Sequence, residues 1–201
     1  VTLIFNCAAG CGNIPQHSVL QELYQLYKNE PDFNIQAIVV DDFQCHGFEE
    51  FDGGLETYAE KNGLDQTPGE VAQSYGREHY GVDYAFSELT NGRFDKHSYD
   101  PEWVPGQVYE QEPHPMWLNL TGAALVPRNE KNLPHHWEVG PFAKSGQEED
   151  RSQPGFAPLK GNFEKFLIAR DGKRFLRYTN TFMLGQRDQG GKEFPWWESG
   201  D

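Results

Sequence analysis

The sequence predicts an α/β domain in which helices flank a central mixed sheet. Residues 1–5 (V-T-L-I-F) form a β-branched and aromatic run that is typical of a buried, central strand. A turn of small residues precedes Pro15 and a helical pattern, and residues 33–40 (F-N-I-Q-A-I-V-V) predict a second strand. A strand–helix–strand unit places its two strands parallel with a right-handed crossover.

A hairpin near the end of the chain adds antiparallel strands and makes the sheet mixed. Asp171-Gly172 separates two apolar runs, 163–169 and 175–178, and a D-G pair in that position favours a hairpin turn. Between the two parts, a helix is expected over 70–80, with a single helical turn near 55–59 and a short element near 116–120.

The remaining stretches predict a single domain that carries a long irregular insertion. Residues 94–158 hold many of the prolines and have little periodicity, and the Gly-rich residues 185–201 predict a flexible tail. The insertion also contains several tryptophans and tyrosines, which are costly to leave in water. We therefore expect it to pack on its own domain or to contact another chain, in a homo-oligomer or a larger assembly.

Composition excludes several classes of function. The 201 residues carry a net charge of −14, a charge that repels phosphate backbones and makes nucleic acid an unfavourable partner. Residues 1–5 are too short an apolar run to insert into a membrane. A chain that opens inside a strand predicts a part upstream, which processing on the way to an organelle could remove; the compartment itself cannot be read from the sequence.

Cysteine is the residue type that points to chemistry. Cys7, Cys11 and Cys45 all lie in the first quarter of the chain, and no pair has C-x-x-C spacing. That pattern favours a reactive thiol over a disulfide framework, and nothing in it requires a metal or another bound cofactor.

Cys11 stands where the first strand gives way to the first helix. Unpaired N–H groups at a helix N-terminus stabilise a thiolate, and Gly10 and Gly12 allow a small substrate close to the sulfur. A buried, inert thiol is the alternative at this position. Cys7 is expected to be structural, and Cys45, which follows the second strand, is expected either near Cys11 or without a role.

Several segments resemble the glutathione peroxidase family. The first is V-T-L-I-F-N-C-A-A-G-C-G-N followed by L-Q-E-L-Y, the second is G-V-D-Y-A-F-S-E-L-T-N-G at 81–92, and the third is G-N-F-E-K-F-L-I-A-R-D-G-K-R-F-L-R-Y at 161–178. H-P-M-W at 114–117 is similar to a family helix start. These segments follow the family order and cover about half of the chain, so that together they are specific although each alone is weak.

The resemblance implies a thioredoxin-like fold and the reduction of hydroperoxides by a cysteine or selenocysteine flanked by Gln, Trp and Asn. Cys11 matches the nucleophile and Asn162 matches the Asn. Asp42 stands where the family has the Gln, and Gly161 stands where it has the Trp. A carboxylate at 42 would raise the pKa of a neighbouring thiol, and Gly161 removes an indole N–H donor.

Two functions are therefore open. The first is a thiol peroxidase weakened by Asp42 and Gly161, in which Cys11 reduces hydrogen peroxide or an organic hydroperoxide. Glutathione or thioredoxin would be its thiol reductant, and Cys45 is a candidate resolving thiol. The second is a catalytically degenerate subunit with a structural or interaction role in a larger complex.

Overall fold

The computed structural model describes residues 1–43, 48–92, 113–121, 159, 161–172, 175–178 and 180. Most of the expected insertion, the expected tail and Cys45 lie outside these residues. In chain order, the elements are β1 Thr2–Cys7, α1 Gln16–Tyr27, β2 Asn34–Val39, a 3₁₀ turn Glu49–Phe51, α2 Gly54–Lys61, α3 Pro68–Tyr80, β3 Ala85–Phe86, α4 Pro115–Leu120, β4 Lys165–Ile168 and β5 Phe175–Tyr178.

The five strands form one mixed sheet in the order β3-β2-β1-β4-β5. β1 pairs parallel with β2, and β2 pairs parallel with β3, whereas β4 runs antiparallel to both β1 and β5. A parallel strand–helix–strand unit joined edge to edge with an antiparallel hairpin is a thioredoxin-like arrangement, so the predicted fold class is confirmed. β1 is the central strand, as its continuous apolar run predicted.

Two details of the expected elements are wrong, and in both a contact with a distant part of the chain is involved. β1 extends two residues beyond residue 5, because Asn6 and Cys7 pair with Ile38 and Val39 of β2 despite being polar or small. The expected helical turn near 55–59 is a full helix, α2, whose first free N–H group at Leu55 donates to an Asp41 carboxylate oxygen at 3.3 Å.

The apolar core lies on both faces of the sheet. Alternate β1 residues, among them Leu3 and Phe5, face α1 and pack with Leu20. The opposite face is covered by α4, whose fully buried Trp117 packs with Phe166 and donates its indole N–H to the Thr90 hydroxyl at 3.2 Å. A third group of buried residues joins α2 and α3 to Val39 at the carboxyl end of β2.

The loop that carries the cysteines leaves the sheet at its centre, at the carboxyl end of β1. Because β1 and β2 are parallel, their carboxyl ends meet at the same edge, where ligands bind in open α/β sheets. Within the part of the chain that the structure describes, no helix is long and apolar enough to cross a membrane.

Candidate functional site

Cys11 lies in the turn between β1 and α1, as predicted. We call residues 8–13 the cysteine turn. The Cys11 N–H donates to the Ala9 carbonyl at 3.2 Å, and the Ile14 N–H donates to the Cys11 carbonyl at 3.0 Å. Further bonds between residues three apart continue from Ile14 into α1. These tight turns lead into α1, and Cys11 lies four residues before Pro15, the N-cap of that helix.

The cysteine turn is held in place by Asn162. This fully buried amide accepts a hydrogen bond from the Ala8 N–H at 2.6 Å and donates one to the Ala8 carbonyl at 2.9 Å. The side chain of Asn162 therefore pairs with a backbone unit as a neighbouring strand would. Asn13 adds a weaker bond at 3.4 Å from its amide to the Asn162 carbonyl.

Asn6 makes the reciprocal connection from β1. Its amide nitrogen donates to the Gly161 carbonyl at 2.9 Å, and its amide oxygen accepts from the Glu164 N–H at 2.8 Å. Two buried asparagines thus tie the cysteine turn to the segment before β4. Because each bond joins a side chain to backbone, the geometry of both segments is fixed without a titratable group.

Phe163 adopts a backbone conformation that is unusual for a residue with a side chain. Its φ is +67°, and the residue is fully buried. The ring stacks on Phe5, with a centroid separation of 5.4 Å, and the Phe163 N–H donates to the Asn6 carbonyl at 2.9 Å. A left-handed conformation at such a residue costs about 1–3 kcal/mol and persists where its surroundings enforce it. Here it orients Asn162 toward Ala8.

Gly161 faces the side chain of Asn180. A Cβ built on Gly161 would overlap the Asn180 amide nitrogen and lie 2.7 Å from its Cγ. The backbone carbonyl of Asn180 accepts a hydrogen bond from the Gln16 amide at 3.3 Å. Asn180, two residues after β5, therefore fills the space that a side chain at 161 would enter.

Asp42 is buried after the end of β2, and its carboxylate accepts a hydrogen bond from the Gly92 N–H at 2.6 Å. A Cβ at Gly92 would lie 2.9 Å from that same carboxylate oxygen, so glycine permits the close approach. The structure thus assigns Asp42 a contact with the Asn91-Gly92 turn.

A second set of polar side chains lies below the cysteine turn, inside the apolar core. Cys7 Sγ is 3.3 Å from His17 Nε2, and His17 Nδ1 is 2.5 Å from the Tyr84 hydroxyl. We call Cys7, His17 and Tyr84 the core trio. All three residues are at most 1% exposed. They come from β1, α1 and the segment before β3, and they pack with Phe5 and Phe163.

Burial sets the protonation of the core trio. It raises the pKa of the Cys7 thiol, with a smaller contribution from the charge of Cys11, and it lowers the pKa of His17 to about 3. The pKa of Tyr84 is raised, also chiefly by burial. At neutral pH all three groups are therefore uncharged, and the imidazole has one donor and one acceptor nitrogen.

The structure brings Cys11, Asn162 and Gly161 to one end of the sheet, whereas Cys45 lies outside the described residues. Sequence reasoning missed His17 and Tyr84, which are 67 residues apart and share no motif. The available signal was that these polar side chains stand at positions that face the core, where apolar residues are expected. Among the described residues, no group of three His, Cys, Asp or Glu side chains could hold a metal ion.

Comparison with known proteins gives two curated relatives. One is the glutathione peroxidase homolog BsaA of Staphylococcus epidermidis, 27% identical over 179 residues, which are 89% of this chain and 74% of the relative. The other is the glutathione peroxidase-like peroxiredoxin gpx1 of Schizosaccharomyces pombe, 27% identical over 180 residues, which are 90% of this chain and 75% of that protein.

The crystal structure of Trgpx in apo form is similar with a TM-score of 0.46 and 20% identity, covering 90% of this chain and 71% of that one. No protein-family model matches the chain.

Proposed function

We propose that the chain is a divergent member of the glutathione peroxidase family, a thiol peroxidase that reduces hydroperoxides through Cys11. The observation that carries the proposal is the position of Cys11 in a turn at the carboxyl edge of the parallel strands, fixed by Asn162. The two curated relatives are named as a glutathione peroxidase homolog and a glutathione peroxidase-like peroxiredoxin. Each of them aligns with about nine-tenths of this chain.

The reaction begins with attack of the Cys11 thiolate on one oxygen of the hydroperoxide. The O–O bond breaks, Cys11 becomes a sulfenic acid, and the other oxygen leaves as hydroxide or alkoxide and takes a proton. Glutathione or thioredoxin is the class of thiol that would return Cys11 to its reduced form.

The leaving oxygen needs donors, and the cysteine turn supplies candidates. Within the part of the chain that the structure describes, the N–H groups of Gly12 and Asn13 make no hydrogen bond. A Cβ on Gly12 would meet nothing within 4 Å, so the backbone beside Cys11 is open on that side. Asn162 Nδ2 also carries a second hydrogen beyond the one bonded to Ala8. Such fixed donors favour the transition state if they face the developing charge.

The burial of Cys11 also suggests a substrate preference. Cys11 is 1% exposed, so bulky lipid hydroperoxides would meet more resistance than hydrogen peroxide. We propose hydrogen peroxide as the favoured substrate and a low rate, because Asp42 and Gly161 stand where the resembled family has a Gln and a Trp.

The second candidate function is a degenerate subunit with an interaction role in a larger complex. Burial of Cys11 and the contact of Asp42 with Gly92 favour it, since reactive cysteines are usually accessible and electropositive. The expected contact surface over 94–158 lies mainly outside the described residues. Within the described part of that segment, Trp117 packs in the core of its own domain.

One experiment separates the two functions. The reduced chain is mixed with hydrogen peroxide in a stopped-flow instrument, peroxide consumption is followed, and Cys11 is then mapped by peptide mass spectrometry. If the chain is a peroxidase, Cys11 is oxidised on the time scale of the stopped-flow measurement. The Cys11→Ser variant then consumes no peroxide, whereas the Cys45→Ser variant still consumes it. Cys11 that stays reduced at millimolar peroxide would leave the degenerate subunit as the function, with native-size chromatography as its own test.

A further inference from the structure

Lys165 is a buried amino group at a position where an apolar residue is expected. It stands opposite Phe5 in the β1–β4 pair, so its side chain lies on the face of the sheet that packs against α1. Lys165 is 1% exposed, and burial lowers its pKa to about 7, against an opposing contribution from the charge of Glu164. A lysine is rarely buried to this extent unless its amino group is bonded.

The amino group of Lys165 is bonded to the backbone of Phe163. Lys165 Nζ donates to the Phe163 carbonyl oxygen at 2.8 Å. The same peptide unit is held at its other end, because the Glu164 N–H donates to the Asn6 side-chain oxygen at 2.8 Å. The preceding peptide unit is held through the Phe163 N–H, which donates to the Asn6 carbonyl at 2.9 Å. Both peptide units that flank Phe163 are therefore anchored, and their relative orientation is the left-handed conformation with a φ of +67°.

Lys165 and Asn6 divide this anchoring between them. Asn6 accepts from the two N–H groups, of Phe163 and Glu164, and Lys165 donates to the carbonyl that lies between those groups along the chain. A buried carbonyl without a donor is unfavourable. Without Lys165, the left-handed conformation at Phe163 would therefore be less favourable relative to conformations in which this carbonyl finds another donor.

The need to neutralise Glu164 does not explain Lys165. Glu164 is next to Lys165 in the sequence, but successive side chains of a strand point to opposite faces of the sheet. The Glu164 carboxylate accepts hydrogen bonds from Arg177 Nε at 2.9 Å and from Arg177 Nη2 at 2.6 Å. Arg177 lies over the Phe166 ring, on the face opposite to Phe5. Glu164 thus has its ion-pair partner on the other side of the sheet.

We propose that Lys165 is a positioning residue for the cysteine turn: by holding the Phe163 carbonyl, it keeps Asn162 directed at Ala8. This inference rests on the proposed oxidation of Cys11 by hydroperoxide and adds a group on which the geometry around Cys11 depends. Lys165 acts through Phe163 and Asn162 and needs no contact with the substrate.

Each link between Lys165 and the cysteine turn is a covalent bond or a hydrogen bond of stated length. β4 fixes the chain from Lys165 onward, so a changed backbone angle at Phe163 moves Asn162, the residue before it. The Asn162 amide joins the Ala8 N–H at 2.6 Å and the Ala8 carbonyl at 2.9 Å. Ala8 begins the cysteine turn, three residues before Cys11. Loss of the Lys165 bond should therefore loosen the cysteine turn before it loosens the sheet.

Amide hydrogen exchange in the Lys165→Met variant tests the proposal. Methionine is unbranched like lysine and suits an apolar position, but it has no hydrogen-bond donor. We expect the N–H groups of Ala8, Phe163 and Glu164 to exchange about tenfold faster than in the wild type, whereas the amides of α1 and β2 exchange as before. Oxidation of Cys11 by hydrogen peroxide, followed by stopped flow, should slow by about tenfold in the same variant.

Two further variants serve as controls. Lys61→Met removes a bond of the same kind, from the exposed Lys61 Nζ to the Asp52 carbonyl at 3.2 Å, and should change neither the Ala8 exchange nor the oxidation rate. Lys165→Arg keeps a cationic donor and should retain more of the Ala8 protection than Lys165→Met. Unchanged Ala8 exchange in Lys165→Met would overturn the proposal. Equal acceleration of the Ala8 and α1 amides would overturn it too, because Lys165 would then support only the overall stability.

A measurement on the unmodified chain decides the question even if Lys165→Met does not fold. The NMR shifts of Lys165 Cε and of the Phe163 carbonyl carbon are followed from about pH 5 to about pH 9, on either side of the lowered pKa. Both should move with one midpoint, and a Phe163 carbonyl that stays constant while Lys165 titrates would show that no bond joins them. If Cys11 of the wild type resists peroxide, the proposed function fails, whereas amide exchange and this titration still decide the role of Lys165.

Discussion

The two sets of buried polar groups at the end of β1 are satisfied in different ways. Asn6 and Asn162 bond to backbone atoms of the segments that they join, and neither can gain or lose a proton near neutral pH. The members of the core trio bond side chain to side chain. The asparagines therefore fix the position of backbone segments, whereas the bonds of the trio join only side chains.

Removal of an asparagine bridge should have the largest effect. Asn162→Ala leaves the buried N–H and carbonyl of Ala8 without partners, and each such group costs about 1–3 kcal/mol. We expect the free energy of unfolding in urea to fall by about 3 kcal/mol, and Cys11 oxidation to slow with it. The matched control is Asn13→Ala, because Asn13 makes only the 3.4 Å bond to the Asn162 carbonyl. Equal losses of unfolding free energy in the two variants would mean that the bonds from Asn162 to Ala8 contribute no more than the single Asn13 bond.

Acid should act on the core trio and not on the asparagines. The pKa of His17 falls from 6.5 in the unfolded chain to about 3 in the folded one, so the unfolded state binds the proton first. The contribution of His17 is fully present above pH 6.5 and is lost as the pH falls toward 3, by about 1.4 kcal/mol per pH unit. Cys7 and Tyr84 stay protonated throughout, because the pKa of each is raised.

The measurement is a series of urea unfolding curves between pH 7 and pH 4 for the wild type and His17→Phe. The variant should show a flatter dependence of the free energy of unfolding on pH, and His79→Phe, which changes an exposed histidine of α3, should not. Parallel curves for all three proteins would mean that the pKa of His17 is the same in the folded and unfolded states.

A side chain at 161 should disturb the edge of the asparagine bridges. Gly161→Ala drives a Cβ into the Asn180 amide, and overpacking of this kind costs about 1–3 kcal/mol. We expect a loss of about 2 kcal/mol in the free energy of unfolding, most of it recovered in Gly161→Ala with Asn180→Gly. If the second change recovers nothing, the two residues are not coupled and Asn180 does not fill the space at 161.

The smallest effect should come from the charge at 42. Asp42→Asn keeps an oxygen that can accept from the Gly92 N–H but removes the negative charge, so stability should change by about 1 kcal/mol or less. If the carboxylate acts on Cys11, the thiol pKa falls in this variant, because one negative charge near the thiolate is gone. The rate of alkylation against pH measures that shift, with Asp41→Asn, at the α2 N-terminus, as the control.

The sequence by itself determined the parts of this protein that depend on neighbours along the chain. The apolar run at residues 1–5, Pro15 before α1 and Asp171-Gly172 between β4 and β5 predicted the central strand, the cysteine turn and the hairpin. Motifs of a few residues placed Cys11 and Asn162 in one family pattern. These features are local, because periodicity and turn chemistry act over a few residues.

Tertiary structure alone decided which groups meet. Tyr84 reaches His17 across 67 residues of chain, and Asn180 fills the space at Gly161, although neither pair shares a motif. The length of β1 was also settled by pairing, since Asn6 and Cys7 have no strong strand preference and are held by β2. Long-range contacts of this kind depend on how the sheet and helices pack, and a buried polar side chain takes whichever partner that packing brings within hydrogen-bonding distance.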